Sequence, residues 1–204
     1  MKIGIFGGSF NPPHKMHLKI GIDLLNKNYL DKIIYVPTGS KYKYKNNLVS
    51  DVDRLNMLKL MVSNDERFLV SDYELKDKEI YTYETLDYFK DIYVNDEIYF
   101  ICGADNLSYI DLWKNGFYLL ENYKFLVIKR YTDPIDNILN KLAKYRDNII
   151  ISDIEMNGLS SSEVREKIKN KEDIRNLLDV EVIYYIEKNN LYNWCYYLLR
   201  ILNK

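Results

Sequence analysis

The amino-acid sequence predicts an α/β fold, a mainly parallel sheet with helices on both faces. Three observations carry that expectation. Short apolar runs alternate along the chain with stretches of helical periodicity, the pattern of successive β-α-β units. The first run, Ile3-Gly4-Ile5-Phe6, lies almost at the amino terminus and breaks into Gly7-Gly8-Ser9 just before a helical pattern. No repeat, low-complexity linker or proline-rich boundary divides the 204 residues, so one domain accounts for the length. The expected arrangement is a Rossmann-like three-layer sandwich in a single domain, 1–204, with a helical C-terminal part from about residue 160.

The elements follow in order. After the first strand, a helix runs from about His17 to Lys27, with Leu18, Ile22 and Leu25 on one face and Gly21 open to close packing. Lys32 to Val36 is the second strand, ended by Pro37-Thr38-Gly39-Ser40 and a loop carrying Lys41, Lys43 and Lys45. Ser50 N-caps a helix from Asp51 to Val62, where Leu55, Leu58 and Met61 or Val62 recur at helical spacing. Phe68 to Ser71 is the third strand. A short helix from Tyr83 to Lys90 is capped by Thr82 and turns Leu86 and Phe89 inward. Ile98 to Cys102, the fourth strand, ends at Gly103-Ala104-Asp105; a short helix from about Asn106 then leads to Trp113, and Asn115-Gly116 makes a turn. Phe125 to Ile128 is the fifth strand, Ile135 to Lys144 an amphipathic helix, and Ile149 to Ile151 the sixth strand. Gly158 introduces Ser160-Ser161-Ser162 and a helix from Glu163 to about Lys169; further helices run from Glu181 to Lys188 and from Trp194 to Leu202.

Composition narrows the class. The net charge of −1 gives no global attraction to nucleic acid or membranes. Two cysteines, Cys102 and Cys195, have neither metal-type spacing nor the number a disulfide scaffold needs. No apolar run approaches the roughly 20 residues of a membrane span, and the glycine-broken amino terminus is not a signal peptide. A cytoplasmic protein, with homo-oligomerisation open, is the expectation.

The chemistry concentrates where the first strand ends. Both histidines of the chain, His14 and His17, stand there, three residues apart, behind a glycine turn and before a helix. Three readings apply: surface or capping residues, a metal site that needs a third ligand, or a phosphate site in which imidazole N–H groups join the turn and helix N-terminus. Small pKa shifts that keep the imidazoles protonated would suit the last. In Leu159-Ser160-Ser161-Ser162-Glu163-Val164-Arg165 one serine suffices as a cap; three with an arginine one turn later make a second anion site. Asp105 after Gly103 is a helix cap or a ribose ligand. Trp113 is core or a stacking surface. The lysines after the second strand are a solvated loop or a phosphate ligand. The loop fits neither a Walker motif nor the three-glycine dinucleotide fingerprint.

Gly7-Gly8-Ser9-Phe10-Asn11-Pro12-Pro13-His14 with His17 resembles the HxGH signature of the nucleotidylyltransferase superfamily, and Leu159 to Arg165 resembles its second, serine-rich signature. Arg54 with Met57-Leu58, the segment Ile80 to Leu86, the block Phe100 to Leu107 with Leu112-Trp113-Lys114, and Val182 to Ile186 with Leu191-Tyr192 are similar to landmarks of the bacterial nicotinate mononucleotide adenylyltransferases. Together they span Lys2 to about Tyr192. The chain departs from the pattern at Met16, where the signature has glycine, at Ser162 for threonine, at Asn11 for aspartate and at Ile80 for serine. Met16 either enters the phosphate pocket or points into the core.

The resemblance implies adenylyl transfer from ATP to nicotinate mononucleotide, giving the dinucleotide and pyrophosphate in NAD biosynthesis. It assigns His14, His17 and Arg165 to catalysis, and Gly7, Gly8, Ser9, Phe10, Gly103, Asp105, Ser161 and Ser162, together with those three, to ATP. Thr82 and Trp113 would receive the nicotinate ring, and Lys43 and Arg130 its phosphate. Mg²⁺ would be held mainly by the ATP phosphates. Nicotinamide mononucleotide or phosphopantetheine as acceptor, or a non-catalytic nucleotide sensor, are the alternatives.

Overall fold

The computed structural model describes residues 1–43, 47–155 and 158–193. Its centre is one six-stranded sheet, all parallel, in the order β3-β2-β1-β4-β5-β6. The strands are β1 (Lys2–Gly8), β2 (Lys32–Pro37), β3 (Phe68–Val70), β4 (Glu97–Gly103), β5 (Lys124–Lys129) and β6 (Ile149–Glu155). The helices are α1 (Lys15–Asn26), α2 (Asp51–Val62), α3 (Thr82–Ile92), α4 (Ala104–Ser108), α5 (Gly116–Asn122), α6 (Ile135–Lys141), α7 (Ser161–Lys169) and α8 (Val180–Lys188). Short 3₁₀ turns lie at Ile110–Leu112, Ala143–Asn148 and Leu191–Asn193.

Strand alternation divides the core between two faces. Tyr35 of β2, Tyr99 and Ile101 of β4 and Ile128 of β5 join one cluster with α1, α2, α7 and α8. Ile34 and Val36, Phe100 and Cys102, and Phe125 and Val127 join the other, with α3 to α6. Strands buried on both faces read as continuous apolar runs, which is why they stand out in the sequence. Gly21 lies under Tyr35 and Phe68, where a Cβ would come within 2.4 Å of the tyrosine oxygen. On α1 the buried stripe is Ile20, Gly21, Leu24 and Leu25, with Leu18 and Ile22 half-buried beside it.

The all-parallel order reverses direction between β1 and β4, so the carboxyl ends of those two strands open a crevice. Gly7-Gly8 and Gly103 stand at its two sides.

Several expected boundaries move for identifiable reasons. α1 starts at Lys15 because His14 takes the extended N-cap conformation. Thr82 is the first residue of α3, not its cap; Tyr81 precedes the helix, and its N–H donates to Glu84 Oε2 at 2.9 Å. The segment after Gly103 starts helical at Ala104 and ends in a 3₁₀ turn before Trp113. Asn115-Gly116 opens a helix, α5, that the turn expectation misses: Asn115 adopts φ 58°, and a Cβ on Gly116 would lie 1.8 Å from the Ile110 carbonyl oxygen. The helix expected to reach Lys144 stops at Lys141: after the buried Leu142, the six residues Ala143–Asn148 bury nothing and continue as a 3₁₀ turn. α7 begins at Ser161 because Ser160 caps it, accepting the Glu163 N–H at 3.2 Å. Ser50 caps α2 as expected. The expected helix from Trp194 to Leu202, Cys195 and Lys45 lie outside the described residues.

Candidate active site

The first loop leaves β1 at Gly8, passes Phe10 in a left-handed conformation (φ 45°) and enters α1 at His14. The Phe10 ring is 2% exposed and packs edge-on against His17, with 4.9 Å between centroids. That ring fills the space over Gly8, where a Cβ would sit 3.1 Å from it; a Cβ on Gly7 would make only an ordinary 3.6 Å contact with Phe100. Phe10 is thus core by its side chain and faces the crevice only through backbone.

His14 and His17 stack, 3.7 Å between centroids and 26° between planes. The His14 N–H donates to Nδ1 of His17 at 3.1 Å, so in the neutral ring the proton sits on Nε2. Nδ1 of His14 is buried and has no hydrogen-bond partner among the described residues. Burial pushes His14 down to about 4 and His17 well below the ordinary histidine range, the neighbouring His14 adding to the latter. The expectation of imidazoles kept protonated is therefore corrected for the ligand-free protein: desolvation and mutual stacking favour neutral rings.

The second segment docks directly onto this loop. Ser161 Oγ donates to the Pro12 carbonyl at 2.9 Å. Arg165 Nη1 donates to the Asn11 carbonyl at 2.8 Å and its Nη2 to Ser162 Oγ at 3.0 Å. Residues some 150 positions apart in the chain thus meet at one spot beside the start of α7, while the start of α1 is already largely satisfied: the Lys15 N–H donates to the Leu177 carbonyl at 2.9 Å and the His17 N–H to the His14 carbonyl at 2.8 Å. Met16 is half-buried and packs against the hydrophobic cluster beneath α1.

Asn11 and Arg54 hold the loop from behind, and neither was singled out by the reading of residues for chemistry. Asn11, 2% exposed, accepts the Tyr192 hydroxyl at 2.8 Å and the Val49 N–H at 3.3 Å, and donates to the Asn47 carbonyl at 3.1 Å. That last bond needs an amide, which accounts for asparagine where aspartate is common. Arg54 is fully buried and donates to the Ser9 carbonyl at 2.9 Å and to Asp51 at 2.5 Å; Asp51 in turn accepts from Ser40. The signal for Arg54 was its place one turn before Leu58 on the buried stripe, while Leu55, expected inside, is only half-buried. Tyr192 had no pattern to reveal it beyond its place in the carboxy-terminal landmark.

The remaining expected residues line the same end of the sheet. Gly103 precedes α4 with extended backbone, and a Cβ there would meet Asp105 Oδ1 at 2.4 Å; Asp105 is exposed in the first turn, its carboxylate on the Asn106 N–H. Trp113 is half-buried, edge-on to Phe100 at 6.0 Å. Lys43 is exposed, and its N–H donates to Glu79, the carboxylate that also accepts the Tyr81 hydroxyl at 2.6 Å beside Thr82. Lys41 pairs with Asp77 at 2.9 Å. Arg130 is exposed past the end of β5, on a cleft of about 450 Å³ with Lys129, Tyr131 and Asn137. Among the described residues no group of three or more His, Cys, Asp or Glu side chains could hold a metal ion, so the histidine pair gathers no third ligand there. No helix among them is long and apolar enough to cross a membrane.

Residues 5–167 match the cytidylyltransferase-like family. A probable nicotinate-nucleotide adenylyltransferase of Clostridium tetani is 40% identical over 197 residues, covering 94% of this chain and 98% of the relative. This chain belongs to that adenylyltransferase family. Another probable nicotinate-nucleotide adenylyltransferase, from Fusobacterium nucleatum, is 42% identical over 191 residues, 92% of this chain and 98% of the relative. A solved structure titled Plasmodium falciparum nicotinic acid mononucleotide adenylyltransferase complexed with NaAD has a TM-score of 0.80 at 26% identity, covering 95% of this chain and 98% of that one. A nicotinate-nucleotide adenylyltransferase family member is a nucleotidyltransferase, and the stacked histidines and the Ser161–Arg165 contacts described above lie at the carboxyl end of its sheet.

Proposed function

We propose that the protein transfers an adenylyl group from MgATP to nicotinate mononucleotide, forming nicotinate adenine dinucleotide and pyrophosphate, in the cytoplasm and as one domain. The observation that carries this reading is the docking of Ser161 and Arg165 onto the carbonyls of Pro12 and Asn11, which brings the serine-arginine start of α7 beside the histidine loop. The names of the relatives point the same way.

In the reaction an oxygen of the acceptor's 5′-phosphate attacks the α-phosphorus, the bond from that phosphorus to the bridging oxygen breaks, and pyrophosphate leaves. The nucleophile is already anionic, so the protein needs no base and acts by alignment and charge neutralisation. His17 Nε2–H donates to the α-phosphate. His14, Ser161, Ser162 and Arg165 hold the β- and γ-phosphates, on the C-terminal helical segment's side of the clamp. Backbone of Gly7, Gly8, Ser9 and Phe10 meets the nucleotide, and Gly103 and Asp105 meet adenosine. Thr82 and Trp113 receive the pyridine ring, with Lys43 and Arg130 toward its phosphate. Mg²⁺ comes with ATP, bound by phosphate oxygens and water.

The test is pyrophosphate release from ATP and Mg²⁺ with each acceptor in turn. Release with nicotinate mononucleotide, and little with phosphopantetheine, is expected. Faster turnover of nicotinamide mononucleotide would reassign the acceptor, and ATP binding without turnover of either mononucleotide would make the protein a sensor.

A further inference from the structure

We propose that Glu74 is a positioning residue for the acceptor pocket, its buried side chain tying the first turn of α3 to the loop that ends β2. The inference rests on the reading that the acceptor lies at Thr82 and Trp113. Glu74 follows β3 at the carboxyl end of the sheet and is 8% exposed. Its Oε1 accepts the Thr85 hydroxyl at 2.7 Å, a contact buried on both sides. Thr85 lies three residues, just under a full turn, beyond Thr82, so the carboxyl group grips the opening of α3. The backbone of the same residue closes on the other wall: a Cβ on Gly39 would stand 2.1 Å from the Glu74 carbonyl oxygen. Glu74 therefore sets the spacing between the Gly39 loop and the start of α3, which flank the proposed ring position. None of the proposed chemical steps uses it.

The charges that face this carboxyl group are few. Arg54 approaches from α2 and favours its ionised form; Glu84 approaches from α3 and opposes it. Burial outweighs Arg54 and the Thr85 hydrogen bond and raises the group to about 7. Below that value a neutral acid sits behind the pocket. Above it, a negative charge faces a pocket that must admit an anionic mononucleotide. Acceptor affinity then falls as pH rises through neutrality, and more than ATP affinity does, since Glu74 bonds Thr85 on the acceptor side and reaches the Ser9 loop only through the charge of Arg54.

The experiment measures KM for nicotinate mononucleotide and for ATP between about pH 6 and about pH 8.5 in the wild type, Glu74→Gln and Glu74→Ala. Glutamine keeps the shape and an acceptor for Thr85, so it reports the charge; alanine removes the grip. Relative to Glu74→Gln, whose profile carries the titration of the acceptor's own phosphate, the wild-type acceptor KM should rise on the order of threefold or more across the range, and Glu74→Ala should raise the acceptor KM about tenfold at every pH with ATP KM changed far less. A glutamine variant that follows the wild-type profile, or an alanine variant that moves both KM values together, would overturn the proposal. No turnover of the mononucleotide by the wild type would overturn the proposed function and this inference with it; turnover with an unaltered Glu74→Ala acceptor KM would overturn the inference alone.

Discussion

At the scale of single residues, the stacked histidines are held neutral in the free protein, whereas the proposed contact with phosphate would favour their charged forms. The folded chain holds His14 at about 4 against an ordinary 6.5. As pH falls, the unfolded chain takes up the proton first, so neutral His14 contributes stability that is complete above about pH 6.5 and is lost between there and about pH 4. A gap of that size corresponds to roughly 3 kcal/mol. Urea unfolding of the ligand-free protein across this window should show the decline, and His14→Asn should lessen it; an unchanged slope would mean that the burial of His14 is not what governs acid stability here. Met16 makes a separate case. Its side chain packs on the core cluster, so Met16→Gly should leave kcat and both KM values near wild type while costing about 1–2 kcal/mol through lost apolar contact and glycine in the first turn of α1. A large gain in activity would instead show that methionine crowds the phosphates.

The element that organises the site is α7. Ser160 caps it, Ser161 ties its first turn to Pro12, and Arg165, four residues further on, reaches Asn11 and Ser162 from the same face. Its two tethers differ in kind. Ser161 makes one neutral hydrogen bond, so Ser161→Ala should cost about 1 kcal/mol of stability with a modest kinetic effect. Arg165 supplies a fixed charge and a planar fork. Its loss to alanine should lower kcat/KM for ATP on the order of 10²-fold or more, and lysine, which keeps charge but not the fork, should recover only part of it. Steady-state kinetics with unfolding midpoints separate the two tethers; equal losses from both substitutions would contradict this division.

At the scale of the molecule, legibility follows sequence distance. The strands were readable because parallel strands buried on both faces are apolar throughout, and α2, capped by Ser50, was placed to the residue. The sheet order was not read, since pairing of β1 with β4 joins segments some 95 residues apart and leaves no local mark. The histidine loop and the serine segment stand out by composition; that they touch through carbonyls of Asn11 and Pro12 is a property of the fold alone. Asn11 concentrates this. Its side chain bonds to partners 36, 38 and 181 positions away, and its carbonyl receives Arg165, so the histidine loop, the segment before α2, α7 and the C-terminal turn share one residue. Truncating it leaves the Tyr192 hydroxyl, the Val49 N–H and the Asn47 carbonyl without their partner in a largely buried place, at about 1–3 kcal/mol for such a loss. Asn11→Ala should therefore lower the denaturant midpoint strongly, by the equivalent of about 2–4 kcal/mol. Asn11→Asp should fall between it and the wild type, because a carboxylate still accepts from Tyr192 and Val49 but faces the Asn47 carbonyl without a proton to donate. The reverse order, with aspartate at or above wild-type stability, would mean that the Asn47 contact is dispensable and that the two accepted hydrogen bonds alone hold the four segments together.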